Sequence, residues 1–150
     1  MQNYKIEFVS WQNKEEALTS LRHRVFILEQ NIPAELEWDG EDPHCRHILA
    51  SGLDNTPLGC ARFKTDGKIE RMCVLRPYRH HGIGLAILKK ILHVAKIEKM
   101  THVYLNAQES AMGFYHRIGF EDDGPPFLEA DIIHQKMYLK LENYHEKPSD

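Results

Sequence analysis

The sequence predicts a mixed α/β domain of α+β type, and three patterns carry that reading. Near the start, apolar and polar residues alternate in short runs separated by turn residues, as in an antiparallel meander. In the middle, a strand, a glycine loop, a long amphipathic helix and a second strand succeed one another as in a βαβ crossover. The chain of 150 residues is 42% hydrophobic, enough to fill one core without disulfides or metal. A single domain is therefore expected over residues 1–141, followed by a polar tail over 142–150.

The first element is "YKIEFVS", where Tyr4, Ile6 and Phe8 alternate with Lys5 and Glu7. A helix comes next: Asn13 and Glu16 have capping-box spacing, and Ala17, Leu18, Leu21, Val25 and Leu28 recur at helical intervals to about Glu29. Residues 29–43 carry Glu29, Glu35, Glu37, Asp39, Glu41 and Asp42 without a Lys or Arg, and Pro33 and Gly40 break regular structure, so an acidic loop is expected. "HILASGL" and "LGCARFK" are strands joined across Asp54-Asn55-Thr56-Pro57, and Asp66-Gly67 turns the chain into a third strand, "KIERMCVL". Between Ile83 and Glu98, the residues Ile83, Ile87, Leu88, Ile91, Leu92 and Ala95 share one helix face. "HVYLNA" is a strand, residues 111–117 a short helix stopped at Gly119, and "HQKMYLKL" the closing strand.

Charge and cysteine content exclude several functions. A net charge of −3 offers no broad cationic face for nucleic acid or membrane. Cys45, Cys60 and Cys73 are odd in number and lack CxxC spacing, as reduced cytosolic thiols would. No apolar leader and no run of eighteen apolar residues occurs, which suits a cytoplasmic protein. His44-Cys45-Arg46-His47 has no second ligand pair at metal spacing, so no metal is expected. Nothing in the pattern separates a monomer from a homodimer.

"RPYRHHGIGLAILKK" is the stretch with chemistry. A strand ending near Val74, a loop, and a helix beginning near Gly82 bring free N–H groups and the positive end of a helix dipole together. Such a point suits an anion, with Gly82 and Gly84 allowing close backbone approach and Arg76 and Arg79 offering paired donors, or else the two glycines only shape a loop and the arginines are solvated. Gly84 is followed by Leu85-Ala86, not Lys-Ser/Thr, which excludes a Walker loop; Ile87 occupies the third glycine position of a Rossmann fingerprint.

"RHHGIG" after "IERMCVL" resembles the R-x-x-G-x-G acetyl-CoA pyrophosphate motif of the GNAT superfamily of N-acetyltransferases. "FYHRIGF" is similar to the Tyr-x-x-x-Gly-Phe element of that superfamily, and "LRHRVFILEQNIPAELEWDGEDPHCRH", "LNAQESAMGFY" and "ADIIHQKM" resemble a bacterial subgroup of small acetyltransferases. The likeness covers residues 21–137. It implies a GNAT fold, with a mixed central sheet, an antiparallel N-terminal meander, a βαβ acetyl-CoA-binding core and flanking helices. Two positions depart from the pattern: His80 stands where many members have Gly, and Gln108 where many have Asn.

The resemblance implies direct attack of an amine of a small molecule or peptide on the thioester of acetyl-CoA, a co-substrate. Backbone groups of Met72, Cys73 and Val74 would run along pantetheine; Arg79, His80, His81, Gly82, Ile83 and Gly84 would hold the pyrophosphate; and the strand around Asn106 would admit the pantetheine arm. Tyr115 matches the tyrosine that protonates the CoA thiolate, or is simply an aromatic packed beside Phe114 and Phe120. Glu70 is a general-base candidate, or the partner of a salt bridge in the neighbourhood of Arg71 or to Arg62 across the hairpin. His134 is a second base candidate, or a buried structural histidine. Glu29 and Gln30 resemble acceptor-side residues, or form an exposed helix end. The acidic loop would attract a cationic acceptor, or stand solvated. A catalytically silent CoA-binding sensor on the same fold is the alternative to an enzyme.

Overall fold

The structure, a computed structural model, describes residues 3–146. They form two compact units: residues up to 65 with 69–91, and 66–68 with those from 92 onward.

In the first unit β1 (Tyr4–Val9) leads into α1 (Trp11–Arg22), a π-helical segment (His23–Glu29) and a short α2 (Ala34–Glu37). β2 (Arg46–Gly52), β3 (Pro57–Phe63) and β4 (Ile69–Val74) come next, then α3 (Ile83–Ile97), which belongs to this unit as far as Ile91. The strands make one antiparallel sheet in the order β1-β2-β3-β4. Leu18, Leu21, Val25 and Phe26 bury against Leu49, Cys60, Cys73 and Leu75 of the sheet, and α1 is held there by that apolar stripe. The helix begins one turn earlier than the capping-box reading: Ser10 Oγ accepts from Asn13 N at 3.2 Å, so Ser10 is the cap, and Lys14 lies off helical geometry.

The π segment also departs from expectation. Gln30 N donates to Val25 O at 3.1 Å, five residues back. Each such turn holds an extra residue, so the apolar stripe slips. Val25 and Phe26 are both buried, whereas Leu28, expected on the stripe, is 63% exposed. Nor is the acidic stretch an open loop. It contains α2 and a 3₁₀ turn (Asp42–His44), and Glu37 and Asp42 are buried.

The second unit takes the rest of α3, β5 (His102–Gln108), α4 (Met112–Ile118), β6 (Glu121–Asp122), β7 (Phe127–Glu129) and β8 (Ile132–Lys140). β8 pairs antiparallel with β5, β6 and β7. The expected parallel character is confined to an isolated bridge between Lys68 and Tyr104, and the strand ladders form two antiparallel sheets. α4 ends in a Schellman motif: Phe120 N donates to Tyr115 O, Gly119 N to His116 O, both at 3.1 Å, and Gly119 takes φ +117°. All six residues expected on the buried face of α3 are buried. Past residue 141, expected as a polar tail, Tyr144 is buried, its carbonyl accepts from Lys96 Nζ, and His93 Nδ1 donates to Glu146 Oε1 at 2.7 Å. Residues 147–150 lie outside the described residues. No described helix is long and apolar enough to cross a membrane.

Candidate active site

β4 is the edge strand of its sheet, so one row of its backbone groups faces away from β3. Its register slips: Cys60 pairs with Cys73 but Arg62 with Glu70, which leaves Arg71 and Met72 opposite Ala61 alone. Arg71 takes φ +53° at this bulge, and a bulge bends a strand and re-aims its next residues. Met72, Cys73 and Val74 therefore form a short edge just beyond a bend. The thiols of Cys60 and Cys73 lie 3.7 Å apart beneath it.

The chain then makes a 3₁₀ turn (Arg76–Tyr78) and enters α3. The first helical bond is Ala86 N to Gly82 O at 3.0 Å, so the N–H groups of Ile83, Gly84 and Leu85 have no carbonyl within the helix. Gly82 has φ +83° and His80 φ +66°. The backbone at 80 thus has the left-handed geometry natural to glycine. His81 lines a cavity of about 680 Å³ with Tyr4, Asp54, Thr56, Tyr78 and Ile83.

Arg79 does not extend into the loop's concavity as an unengaged cation. Its Nε donates to Val74 O at 2.8 Å, and Nη1 and Nη2 grip the two oxygens of Glu29 at 2.7 Å each. Arg76 Nη2 adds a bond to Glu29 Oε2 at 3.1 Å. Hydrogen bonds from Arg79 and then Arg76 pull the Glu29 carboxyl down to about 2 against the opposing effect of burial. Glu29 thus pairs with both arginines of the loop; Gln30 beside it is half-buried at the helix end.

Glu70 takes the salt-bridge alternative. Arg62, fully buried, donates Nε to Glu70 Oε2 at 2.9 Å and Nη2 to the same oxygen. Its other bonds go to Asp39 (2.9 and 2.7 Å) and Asp42 (3.0 Å). Arg22, also buried, reaches Glu37 at 2.7 Å and Asp42 at 2.6 Å, with the Trp11 and Trp38 rings 5.9 and 5.1 Å from its guanidinium carbon. His47 Nε2 donates to Asp42 O at 2.9 Å, which makes it a structural histidine of the same cluster. Beyond the Arg62–Glu70 pair, sequence reasoning missed this network. The signals were single arginines at core positions, Arg62 two residues after buried Cys60 on β3 and Arg22 beside Leu21, facing an acidic stretch of matching size.

In the second unit Tyr115 is buried on α4, edge-on to Phe114 (5.0 Å) and Phe120 (5.5 Å), and burial pushes its phenol up to about 12. The packing of Tyr115 beside Phe114 and Phe120 is therefore present. His134 on β8 is buried and stacks on Phe127 at 5.8 Å. A carbonyl only accepts, so in the 2.8 Å bond to Ile132 O it is Nδ1 that donates, which orients the ring and leaves Nε2 3.9 Å from Glu129 Oε2. Asn106 is half-buried on β5, opposite Lys136.

The acetyltransferase (GNAT) domain family matches residues 13–141. This chain belongs to the GNAT acetyltransferase family. Among its GNAT relatives, the uncharacterised N-acetyltransferase YjcF of Bacillus subtilis is 36% identical over 121 residues, covering 78% of this chain and 86% of that one. ElaA of Escherichia coli is 33% identical over 132 residues, covering 75% and 82%. The crystal structure of ElaA superimposes with a TM-score of 0.79 over 89% of this chain and 98% of that chain at 28% identity. An acyl-CoA N-acyltransferase of Pseudomonas aeruginosa gives 0.77 over 90% and 97%, also at 28% identity. Membership in the GNAT family supports acyl-CoA-dependent acyl transfer in general, with an acyl-CoA donor and a separate acceptor.

Proposed function

We propose that the protein is an acetyl-CoA-dependent N-acetyltransferase that moves acetyl directly to a primary amine of a small molecule or peptide within a ternary complex. One observation carries the reading: an edge strand with a bulge at Arg71 runs into a loop with positive φ at His80 and Gly82, then into the open N-terminus of α3. An extended pantetheine arm suits the edge of residues 72–74, and a diphosphate suits the N–H groups of residues 80–84. The acceptor nitrogen attacks the thioester carbon, the C–S bond breaks, and the thiolate takes a proton from Tyr115, which burial keeps protonated. His134 Nε2, on a ring oriented by the Nδ1 bond to Ile132 O, takes the proton from the ammonium; Glu70, held by Arg62, serves to shape the strand. The one domain we infer over residues 1–141 acts in the cytoplasm, where the free thiols of Cys45, Cys60 and Cys73 stay reduced.

Calorimetry with acetyl-CoA on the wild type and Gly82→Asp, and then CoA thiol release with a panel of amines, tests the reading. Micromolar-range binding that Gly82→Asp abolishes, with thiol release for some amine and a fall of about 10²-fold in kcat for Tyr115→Phe, supports it. Binding without thiol release favours the silent CoA-binding module, for which the salt-bridged Glu70 speaks. No binding by the folded wild type overturns both.

A further inference from the structure

Between Leu75 and Ile83, which are both buried, Arg79 is the one residue that is not exposed. The loop therefore has no apolar anchor of its own. Its next residue, His80, sits at φ +66°, and a non-glycine residue persists there only where its surroundings over-determine the backbone. Those surroundings are the three-way bonding of Arg79: Nε on Val74 O, where the loop begins, and a two-pronged grip on Glu29. Glu29 in turn ends the π segment whose Val25 and Phe26 are buried in the core, and Ile32 N ties that turn back to Phe26 O at 2.9 Å.

Resting on the acyl-CoA reading, we propose that Glu29 is a positioning residue for the diphosphate of the donor: it holds Arg79 so that the loop over residues 79–84 keeps its anion-receiving shape. Arg79 spends three of its five N–H groups inside the protein, so the diphosphate is received chiefly by backbone N–H groups and the helix N-terminus. The opposing expectation is simple. Glu29 cancels one of two arginine charges, and a carboxylate that merely competes with phosphate would weaken donor binding; removing it would then tighten the complex. Shape outweighs charge here because the loop's two side-chain ion pairs, from Arg76 and Arg79, both run through Glu29, while an added charge near solvent is screened. Val74 remains fixed without Glu29, since Leu75 N bonds Leu58 O at 2.9 Å and Gly59 pairs with Val74, so the pantetheine edge should not change.

The test compares dissociation constants for acetyl-CoA, by calorimetry, and for S-acetylpantetheine, which lacks the diphosphate, by NMR titration. The proteins are the wild type, Glu29→Gln, Arg79→Lys and the double variant, each checked by thermal melting. Each single substitution is expected to weaken acetyl-CoA about tenfold, the double variant no more than either, and S-acetylpantetheine less than about twofold. Arg79→Lys keeps the charge but cannot make the three-way contact, so it decides the matter even where Glu29→Gln melts. Unchanged or tighter acetyl-CoA binding in the single variants overturns the proposal, as does an equal loss for both ligands. A folded wild type that binds neither ligand brings down the acyl-CoA reading itself, before any substitution is considered.

Discussion

Arg62→Met removes the centre of the buried charge cluster while keeping much of the side-chain volume. The native guanidinium uses all its nitrogens on Asp39, Asp42 and Glu70, and three arginines (22, 62 and 71) face four carboxylates (37, 39, 42 and 70). After substitution Asp42 keeps Arg22 and Asp39 keeps a 3.3 Å contact with Arg71, while Glu70 loses both bonds from Arg62. Breaking a buried pair from one side leaves uncompensated charge and costs about 3–5 kcal/mol, a large part of the roughly 5–15 kcal/mol that holds a domain. At about 2–4 °C per kcal/mol for this size, Tm should drop by roughly 6–20 °C. Urea unfolding followed by circular dichroism at pH 7 measures it, and a loss below about 1 kcal/mol, the worth of a surface pair, refutes the reasoning. The cluster also sets a pH dependence. Arg62 bonds pull Asp39 down; burial pushes Asp42 up, but Arg22 and Arg62 pull it further down. A carboxylate depressed in the folded state stabilises above its unfolded value of about 3.9 and loses that contribution as pH falls through the folded value. Wild-type stability should therefore fall from about pH 5 downward, and the slope should be shallower in Arg62→Met.

Two further substitutions probe the donor edge. His80→Gly relieves the left-handed backbone at φ +66° and should raise the urea midpoint by about 0.5–1 kcal/mol of stability, net of glycine's greater unfolded-state freedom; a lowered midpoint would show that the position is not strained. Gly59→Ala places a Cβ 2.7 Å from Cys73 O and 3.3 Å from Val74 Cα, both backbone atoms. It should cost about 1–3 kcal/mol and weaken acetyl-CoA binding by shifting the strand edge, so a variant as stable as the wild type with unchanged affinity refutes the close approach.

Strands and long helices were legible because burial writes a period into the sequence. Every apolar residue of the α3 face came through in the structure, whereas β1 forms but its burial does not alternate: Lys5 is as covered as Tyr4 and Ile6, and only Glu7 is exposed. So did the stop at Gly119, because a left-handed C-terminal residue selects glycine. The π segment was not legible: Val25 and Leu28 continued the α-helical stripe of Leu18 and Leu21, Phe26 was not read as part of it, and the wider turn buries Phe26 against the sheet in place of Leu28. The same limit applied to charges. Glu29 and Glu70 were recognised as residues of interest, but whether a carboxylate faces a ligand or an arginine depends on contacts across 50 and 8 residues of chain, which no local pattern encodes.

Those distant contacts change what the acidic stretch means. Of its six carboxylates, Glu29 holds Arg76 and Arg79, Glu37 holds Arg22, Asp39 holds Arg62, Asp42 holds both Arg22 and Arg62, and Glu41 holds Lys64 at 2.8 Å. The stretch therefore acts as an internal counter-ion for arginines of the same unit, tying the end of the π segment, the bulge of β4 and the anion loop to one strap. A field already cancelled at short range attracts an ammonium acceptor weakly, since screening removes what remains beyond about 8–10 Å at physiological salt. Acceptor choice in this chain should then depend on shape and hydrogen bonding more than on long-range charge, and neutralising these carboxylates should damage folding and donor binding before it alters acceptor preference.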